Sequence, residues 1–449
     1  PTPGDAMSKN PRLASQGLPH QDVLARMRAM RTEDARWQEG RTWSLVYNAG
    51  EDIRRVAAEA YTEFMSENGL SPLAFPSLRR FEAEVLAIAA ELFHGGTAAG
   101  TMTSGGTESI LMAVKTARDF ARAERGITEP EMVLPASVHP AFQKAAHYFG
   151  VKPINVPVAP DFRADVDAMR AAVGPRTVLV VGSAPSYPHG VMDPISELAA
   201  MAQEKGVLFH VDACLGGFLL PFAKRLGHDL PDFDFAVPGV TSLSADLHKY
   251  GYAAKGASIV LYRSPELRRH QFFTYAGWSG GIYASPSMAG TRPGGAIAAA
   301  WAILKYLGEE GYLRLARTVL DTSKALREGI AAVPGLKLLG RPPLSVFAFT
   351  SDSLDVYALG DAMEARGWKL DRQMMPPALH LMVTPAHAAV VEPFLADLRA
   401  CAASLASGEP APDGSAAMYG MLGSLPDPKD AEGFILQFMD GLYDVSEQE

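Results

Sequence analysis

Cysteine is scarce in this chain, which has only Cys214 and Cys401 among 449 residues. Two cysteines exclude a disulfide framework and favour a reducing compartment. The chain also lacks an uncharged apolar run of the ~18–20 residues that a membrane span needs, because the run at 294–304 stops at Lys305. Residues 1–17 carry no signal-peptide pattern. We therefore expect no membrane span and a cytoplasmic location, with export into a host left open.

Positive charge is not in excess either. Lysine and arginine number 41 and aspartate and glutamate 50, so the net charge is 41 − 50 = −9. This balance argues against nucleic acid or an anionic membrane as the main partner. The hydrophobic share of 48% and the charged share of 20% are ordinary for a protein with a packed core. The length predicts about two to three domains.

Helical and strand-like segments alternate along most of the chain. Apolar runs typical of strands lie at 132–134, 177–182, 207–212 and 257–262, and amphipathic segments typical of helices lie at 79–93, 107–124, 142–149, 165–173 and 195–205. Such alternation predicts an α/β fold with a mostly parallel sheet covered by helices. The segment 271–291 is uncharged and rich in glycine, serine and proline, so we predict a loop there.

The pattern changes after Gly311. A long helix at 313–332 precedes strands at 346–350 and 379–383, with helices at 356–366 and 386–406 around them. This predicts a smaller C-terminal α+β domain. We divide the chain into an N-terminal tail and arm at 1–48, a large domain at 49–310 and a small domain at 311–449.

The run Ser244-Ala245-Asp246-Leu247-His248-Lys249-Tyr250-Gly251 suggests a lysine placed for covalent chemistry. A lysine amine forms a Schiff base with a carbonyl, and pyridoxal 5′-phosphate (PLP) is the commonest such cofactor. A lysine after a histidine is more often an ordinary surface residue, so the octapeptide needs support from elsewhere.

Three other features supply that support. Thr103-Ser104-Gly105-Gly106-Thr107-Glu108-Ser109 precedes a predicted helix, whose free N–H groups would bind a phosphate; a plain glycine turn is the alternative. Asp212 ends a strand, where a carboxylate could hold the pyridine nitrogen of PLP or merely cap a helix. His139 follows another strand, where its ring could stack on a flat cofactor. The simpler alternatives do not explain all four features together.

These residues resemble the sphingosine-1-phosphate lyases, which belong to the group II PLP-dependent decarboxylase superfamily of fold-type I enzymes. The resemblance extends over roughly residues 45–425, and its matching stretches are 103–113, 144–150, 188–191, 210–218, 244–256, 280–286, 292–295 and 419–421.

The resemblance implies roles for individual residues. Lys249 would form the Schiff base, Asp212 would pair with the pyridinium and His139 would stack on the ring. Near the cofactor phosphate it implicates Gly106, Thr107 and His248. On the substrate side it implicates Tyr47, Lys255 and Tyr419, with Lys255 at the substrate phosphate. Thr291 and Arg292 would lie on a loop that a partner subunit contributes. The family also implies a homodimer with shared active sites.

One position departs from the family. Where relatives commonly have Asn-Pro-Leu-His-Pro, this chain has Asn68-Gly69-Leu70-Ser71-Pro72, so Ser71 replaces a substrate-side histidine. We also expect no membrane anchor of the kind that the eukaryotic members have, so the resemblance is to the bacterial forms.

The implied reaction is a retro-aldol cleavage of a phosphorylated long-chain base, similar to sphingosine 1-phosphate, into a long-chain aldehyde and phosphoethanolamine. Two alternatives stand beside it: an amino-acid decarboxylase on the same fold, and a catalytically silent homologue that serves as a binding scaffold. The general base is open among the free Lys249 amine, a tyrosine and a phosphate oxygen.

Overall fold

A computed structural model of the chain describes residues 13–423 and 428–443. The α-helices of this part are α1 (His20–Ala29), α2 (Glu51–Glu63), α3 (Pro76–Leu92), α4 (Gly106–Arg125), α5 (Ala141–Phe149), α6 (Val166–Ala172), α7 (Ile195–Glu204), α8 (Leu220–Arg225), α9 (Pro265–Arg269), α10 (Gly294–Ala331), α11 (Val356–Glu364), α12 (Val391–Ala406), α13 (Ala416–Gly423) and α14 (Pro428–Tyr443). Short 3₁₀ turns occupy Met30–Glu33, Trp37–Glu39 and Pro385–Val390.

The strands are β1 (Ala99–Thr103), β2 (Glu131–Pro135), β3 (Lys152–Val156), β4 (Thr177–Ser183), β5 (Leu208–Asp212), β6 (Ser242–Ala245), β7 (Ser258–Tyr262), β8 (Phe273–Trp278), β9 (Gly281–Ser285), β10 (Leu336–Leu338), β11 (Val346–Ser351), β12 (Asp371–Met374) and β13 (Pro377–Met382). The predicted strands of the large domain correspond to β2, β4, β5 and β7. The sequence analysis did not identify β1, β3 or β6.

Within the described residues the large sheet has seven strands in the order β1-β7-β6-β5-β4-β2-β3. Strands β2 to β6 pair in parallel, and β7 runs antiparallel to both β6 and β1. The expected α/β fold with a mostly parallel sheet is confirmed. Because β1 points the same way as β6, the carboxyl ends of β1, β2, β5 and β6 all meet at one edge of the sheet.

That edge positions the candidate site. Four of the sequence features follow strands that end there: Gly106 follows β1, His139 follows β2, Asp212 ends β5 and Lys249 follows β6. These strands are buried on both faces, as parallel strands covered by helices are, although β5 and β6 include buried polar residues. The site is therefore built on a rigid framework.

The prediction of a loop at 271–291 was wrong. The segment contains an antiparallel hairpin, β8–β9, with pairs Phe273–Ser285 and Tyr275–Tyr283 and an irregularity before Trp278. Every residue of β8 is exposed, so no alternation of apolar and polar residues marked the strand. Its glycines and serines gave a loop-like composition instead.

Two hydrophobic clusters share α10, which contributes buried residues between Ile297 and Leu320 to one cluster and Leu326 and Ile330 to the other. The larger one packs around the seven-stranded sheet, and the second surrounds the sheet β10-β11-β13-β12. Helix α10 joins them and is interrupted at Gly308, whose φ of 54° and ψ of −172° are not helical. The division of the chain at residues 310 and 311 stays a prediction, and we propose that the interruption at Gly308 marks that boundary.

The segment just before α2 belongs to the second sheet. The Trp43 N–H donates to the Lys369 carbonyl at 3.1 Å, and the Met382 N–H donates to the Trp43 carbonyl at 2.7 Å. The Trp43 ring is fully buried and stacks on His387 at 4.2 Å between ring centres. This N-terminal segment is thus anchored in the C-terminal part of the fold. Over the described residues, no helix combines the length and the apolar character needed to cross a bilayer.

Candidate active site

A cavity of about 390 Å³ opens at the sheet edge where these strands end. Its walls are Ser104, Gly105, Gly106, Thr107, Glu108, Ile110, His139, Pro185, Tyr187, Asp212, Cys214, Leu215, Asp246, His248 and Lys249. The structure thus brings together six of the predicted site residues: Gly106, Thr107, His139, Asp212, His248 and Lys249.

Lys249 lies in this cavity because a tight turn follows β6. The Lys249 N–H donates to the Asp246 carbonyl at 3.2 Å, and the Tyr252 N–H donates to the Lys249 carbonyl at 3.0 Å. The same turn brings Lys249 Nζ to 3.0 Å from Asp246 Oδ2. The amine and the carboxylate therefore form an ion pair inside the cavity.

This pair holds both groups in their charged forms. Burial alone would lower the pKa of Lys249, but the Asp246 carboxylate outweighs it and raises the pKa well above its usual range. Burial would likewise raise the pKa of Asp246, but Lys249 and His248 outweigh it and lower the pKa. Asp246 was not among the predicted site residues. Its position three residues before Lys249 was the available signal.

Asp212 lies at the cavity wall on the neighbouring strand. Its Oδ1 accepts the Cys214 N–H at 3.1 Å and the Ser244 hydroxyl at 3.4 Å. Among the described contacts both side-chain hydrogen bonds of Asp212 fall on Oδ1, which leaves Oδ2 for a ligand. A carboxylate at this place suits a protonated ring nitrogen.

His139 presents a neutral ring to the cavity. Its Nδ1 accepts the Ala141 N–H at 3.1 Å, so the proton of the neutral ring lies on Nε2. Burial lowers its pKa further, although Asp212 opposes this. The Tyr187 ring meets it edge-on at 6.4 Å between ring centres. A neutral, fixed imidazole of this kind can stack on a flat cofactor.

The start of α4 forms the third side of the cavity. Gly105 and Gly106 carry no side chain, so no side chain of the cap residue Gly105 occupies the first N–H groups of the helix. A Cβ on Gly106 would lie 2.7 Å from Asp246 Oδ2 and 2.9 Å from Cys214 Sγ. Only glycine fits here, because the backbone passes close to the two side chains. The helix terminus can therefore bind a phosphate directly.

These residues fit PLP. The cavity combines a lysine amine, a carboxylate at a strand end, a stackable neutral ring and a helix N-terminus. Asp246 Oδ1 and His248 Nδ1 are buried and have no hydrogen-bond partner among the described residues. Buried polar atoms are normally paired, so two such atoms at one cavity indicate a site that receives a polar ligand.

A second cavity of about 420 Å³ adjoins the first, and His248 borders both. Tyr47 and Lys255 line it. Lys255 Nζ donates to the Leu45 carbonyl at 2.7 Å and lies 5.2 Å from the centre of the Tyr47 ring. Burial lowers the pKa of Lys255 to about 8. Burial also raises the pKa of Tyr47, so its phenol is neutral.

Two predicted site residues lie away from both cavities. Thr291 Oγ1 accepts a hydrogen bond from Asn68 Nδ2 at 3.3 Å. The Tyr419 ring packs 5.6 Å from the Tyr357 ring and under the Arg372 guanidinium at 5.8 Å. Within this single chain neither residue reaches the cofactor cavity.

Ser71 also lies elsewhere. It is exposed at a groove of about 820 Å³ between α3 and the β8–β9 hairpin, which Ile282 and Tyr283 also line. The same groove contains Arg292, which is almost fully buried and makes two hydrogen bonds to the Glu82 carboxylate, at 2.6 and 2.9 Å. The Gly69 N–H also donates to the Arg292 carbonyl at 2.8 Å, which fixes the segment around Ser71 to the loop that carries Thr291.

Comparisons with known proteins agree with this geometry. The family model described as the pyridoxal-dependent decarboxylase conserved domain matches residues 3–350. Sphingosine-1-phosphate lyase from Arabidopsis thaliana is 45% identical over 432 residues, which are 94% of this chain and 79% of the relative. Sphingosine-1-phosphate lyase 1 from Rattus norvegicus is 44% identical over 436 residues, 96% of this chain and 77% of the relative.

Solved structures give the same relationship. The structure of sphingosine-1-phosphate lyase from Burkholderia pseudomallei has a TM-score of 0.89 at 40% identity and covers 97% of both chains. Glutamate decarboxylase from Lactobacillus brevis has a TM-score of 0.77 at 20% identity, which supports the fold alone, and covers 88% of this chain and 95% of its own. The chain therefore belongs to the pyridoxal-dependent decarboxylase family, whose cofactor is PLP, and within it to the sphingosine-1-phosphate lyases.

Proposed function

We propose that this chain is a PLP-dependent carbon–carbon lyase that cleaves phosphorylated long-chain bases similar to sphingosine 1-phosphate into a long-chain aldehyde and phosphoethanolamine. The observation that carries the proposal is the pair of adjoining cavities. One contains Lys249 and Asp212, and the other contains Lys255 and Tyr47, with His248 between them.

The predicted residues around the cofactor cavity would have separate roles in binding PLP. PLP supplies the aldehyde that takes the substrate amine and the ring that accepts the electron pair of the broken bond. Lys249 would provide the amine that holds the cofactor, and Asp212 would accept the ring N–H. His139 would stack on the ring, and Gly106 and Thr107, with His248 nearby, would bind the cofactor phosphate through the helix terminus and side-chain donors.

The substrate side would recognise a phosphate. Lys255 and Arg54 are cations that line the second cavity, and Arg54 is already paired with Glu51. Tyr47 contributes a neutral phenol that can donate a hydrogen bond. The same burial that keeps Tyr47 protonated makes it a poor base. Asp246 likewise holds the Lys249 amine protonated in this structure. A phosphate oxygen of the substrate is therefore the better candidate for taking the hydroxyl proton of the substrate, and Lys249 could do so only after losing its own proton.

We also propose a homodimer with shared active sites. Thr291 and Tyr419 border neither cavity of their own chain, so the roles implied for them need a partner subunit or a rearranged chain. The β8–β9 hairpin exposes Phe273, Trp278 and Ile282, large apolar residues that a partner would cover. The buried free thiols Cys214 and Cys401 favour a reducing compartment, and we propose the cytoplasm.

Product analysis tests the function. Purified protein with PLP is incubated with phosphorylated long-chain bases of several lengths, and aldehyde, phosphoethanolamine and carbon dioxide are measured. We expect aldehyde and phosphoethanolamine in equal amounts, and loss of both products and of the visible absorbance of lysine-bound PLP in Lys249→Ala. Lys337→Ala, a surface lysine paired with Asp352, is the matched control.

Two outcomes would refute the proposal. Carbon dioxide from an amino acid, without aldehyde, would assign the chain to the decarboxylases of the same fold. Purified protein that gains no visible absorbance with added PLP would be a silent binding scaffold.

A further inference from the structure

A row of buried polar side chains lies behind Asp212. Strands β5 and β6 pair in parallel with His210 opposite Ser242 and Asp212 opposite Ser244. Because side chains alternate along a strand, all four lie on the same face of the sheet. His210 and Ser244 have no exposed surface, and Ser242 and Asp212 have 4% and 7%. Burial of so many polar groups calls for mutual hydrogen bonds.

The direction of these bonds follows from the number of available protons once the Ser244 hydroxyl donates to Asp212. The Ser244 hydroxyl has one proton, which it donates to Asp212 Oδ1 at 3.4 Å. His210 Nε2, at 3.1 Å from Ser244 Oγ, must then be the donor to that oxygen.

With the proton on Nε2, His210 Nδ1 accepts the Ser242 hydroxyl at 2.9 Å. In each of these hydrogen bonds the acceptor therefore lies nearer to Asp212 in the series than the donor does. The histidine stays neutral, since burial lowers its pKa to about 4.

We propose that His210 and the two serines beside it are positioning residues that hold Asp212 as an ionised carboxylate with Oδ2 turned towards the cofactor ring nitrogen. The proposal rests on the proposed function, because it assumes PLP in the cavity at Asp212. A donor to a carboxylate favours its charged form, and a donor on Oδ1 also fixes the rotation of the group. The bond of 3.4 Å is long for a hydroxyl donor, as such bonds often are before the ligand is bound.

This series of hydrogen bonds leads to a prediction that side-chain packing alone would not give. Ser242 does not touch Asp212, yet its hydroxyl fixes the tautomer of His210. Without it, His210 can carry its proton on Nδ1 and accept the Ser244 hydroxyl at Nε2, which takes that donor away from Asp212. Removing Ser242 should therefore act at Asp212 through two intervening groups.

The experiment measures the PLP affinity of the purified full-length protein at neutral pH. We expect Ser244→Ala to bind PLP about tenfold more weakly, because Asp212 Oδ1 loses a hydrogen-bond donor that favours the charged carboxylate.

Ser242→Ala should weaken PLP binding by a smaller factor, and Ser244→Thr, which keeps the hydroxyl, should restore the affinity. His139, Cys214 and Lys249 also surround Asp212 and are common to all the variants. Differences in PLP affinity between the variants therefore report on the hydrogen bonds that run from Ser242 through His210 and Ser244 to Asp212.

The controls separate this proposal from folding and from the cofactor assignment. Ser323→Ala removes a buried serine hydroxyl that donates to the Leu344 carbonyl, outside the cofactor cavity, and we expect it to leave the PLP affinity unchanged. Thermal unfolding without PLP shows that each variant is folded. If Asp212→Asn weakens PLP binding but Ser244→Ala and Ser242→Ala match Ser323→Ala, the positioning role is wrong. If Asp212→Asn binds PLP like the unaltered chain, the cofactor assignment itself is wrong.

Discussion

The glycine pair at the start of α4 offers a sharp test of the cofactor site. A methyl group at Gly106 would lie 2.7 and 2.9 Å from the two Asp246 oxygens and 2.9 Å from Cys214 Sγ. These distances are shorter than van der Waals contact, so Asp246 would have to move away from Lys249, with which it is paired at 3.0 Å. At Gly105 the same methyl group would meet only His248 Cε1 at 3.4 Å.

The expected magnitude follows from this contrast. An extra methyl group in a tightly packed site costs about 1–3 kcal/mol, which corresponds to about 5- to 150-fold in a binding constant. We therefore expect Gly106→Ala to weaken PLP binding by that factor. Gly105→Ala should change it by less than about threefold, since its contact needs only a small shift.

The protein without PLP should behave differently. Alanine favours the helix over glycine by about 1 kcal/mol, and this gain opposes the steric cost at the first turn of α4. The fall in PLP affinity should therefore exceed any fall in the stability of the cofactor-free protein. The assay is titration with PLP followed by its visible absorbance, with thermal unfolding of the cofactor-free protein beside it. Equal PLP affinities for the two alanine variants would refute the argument that the Gly106 backbone passes the cofactor site too closely for a side chain.

Two further predictions concern charge. Because the pKa of Lys255 is lowered to about 8, its ammonium is lost above that pH, and kcat/KM for a phosphorylated substrate should fall there. Lys255→Arg should stay charged above pH 8 and should not show this decline. A decline that persists in Lys255→Arg would show that another group causes it. The pair Arg292–Glu82 is nearly buried, so Glu82→Gln should lower the free energy of unfolding by about 3 kcal/mol. Glu51→Gln, at an exposed helical pair with Arg54, is its control; equal melting temperatures for the two would show that the buried pair does not stabilise the fold.

The sequence predicted the sheet well where its strands are apolar on both faces. The run Val178–Val181 in β4 is a continuous hydrophobic segment, and it is buried as expected. Strand β6 was missed because Ser242 and Ser244 give it a polar composition. Their hydroxyls are satisfied by His210 on the next strand, a contact that depends on strand pairing and is invisible along the chain.

The site was predictable to the extent that its residues follow strand ends. His139 and Asp212 could be placed because one follows and the other ends a strand that was predicted, whereas Lys249 follows the missed strand β6 and was recognised from the run 244–251. Asp246 was not singled out, since its part in the cavity depends on the turn that brings it to the Lys249 amine. Thr291 lies outside the cavities of this chain, and its predicted role depends on a second subunit that sequence patterns do not position.

The segment at Trp43 limits how the protein can be shortened. It supplies backbone hydrogen bonds to Lys369 and Met382, and four residues later the same segment provides Tyr47 to the second cavity. A fragment that begins after Tyr47 would leave the Lys369 carbonyl and the Met382 N–H without these partners and would remove Tyr47 from the wall of the second cavity. Affinity tags and fusion partners therefore belong upstream of this segment, and any minimal catalytic fragment must retain it.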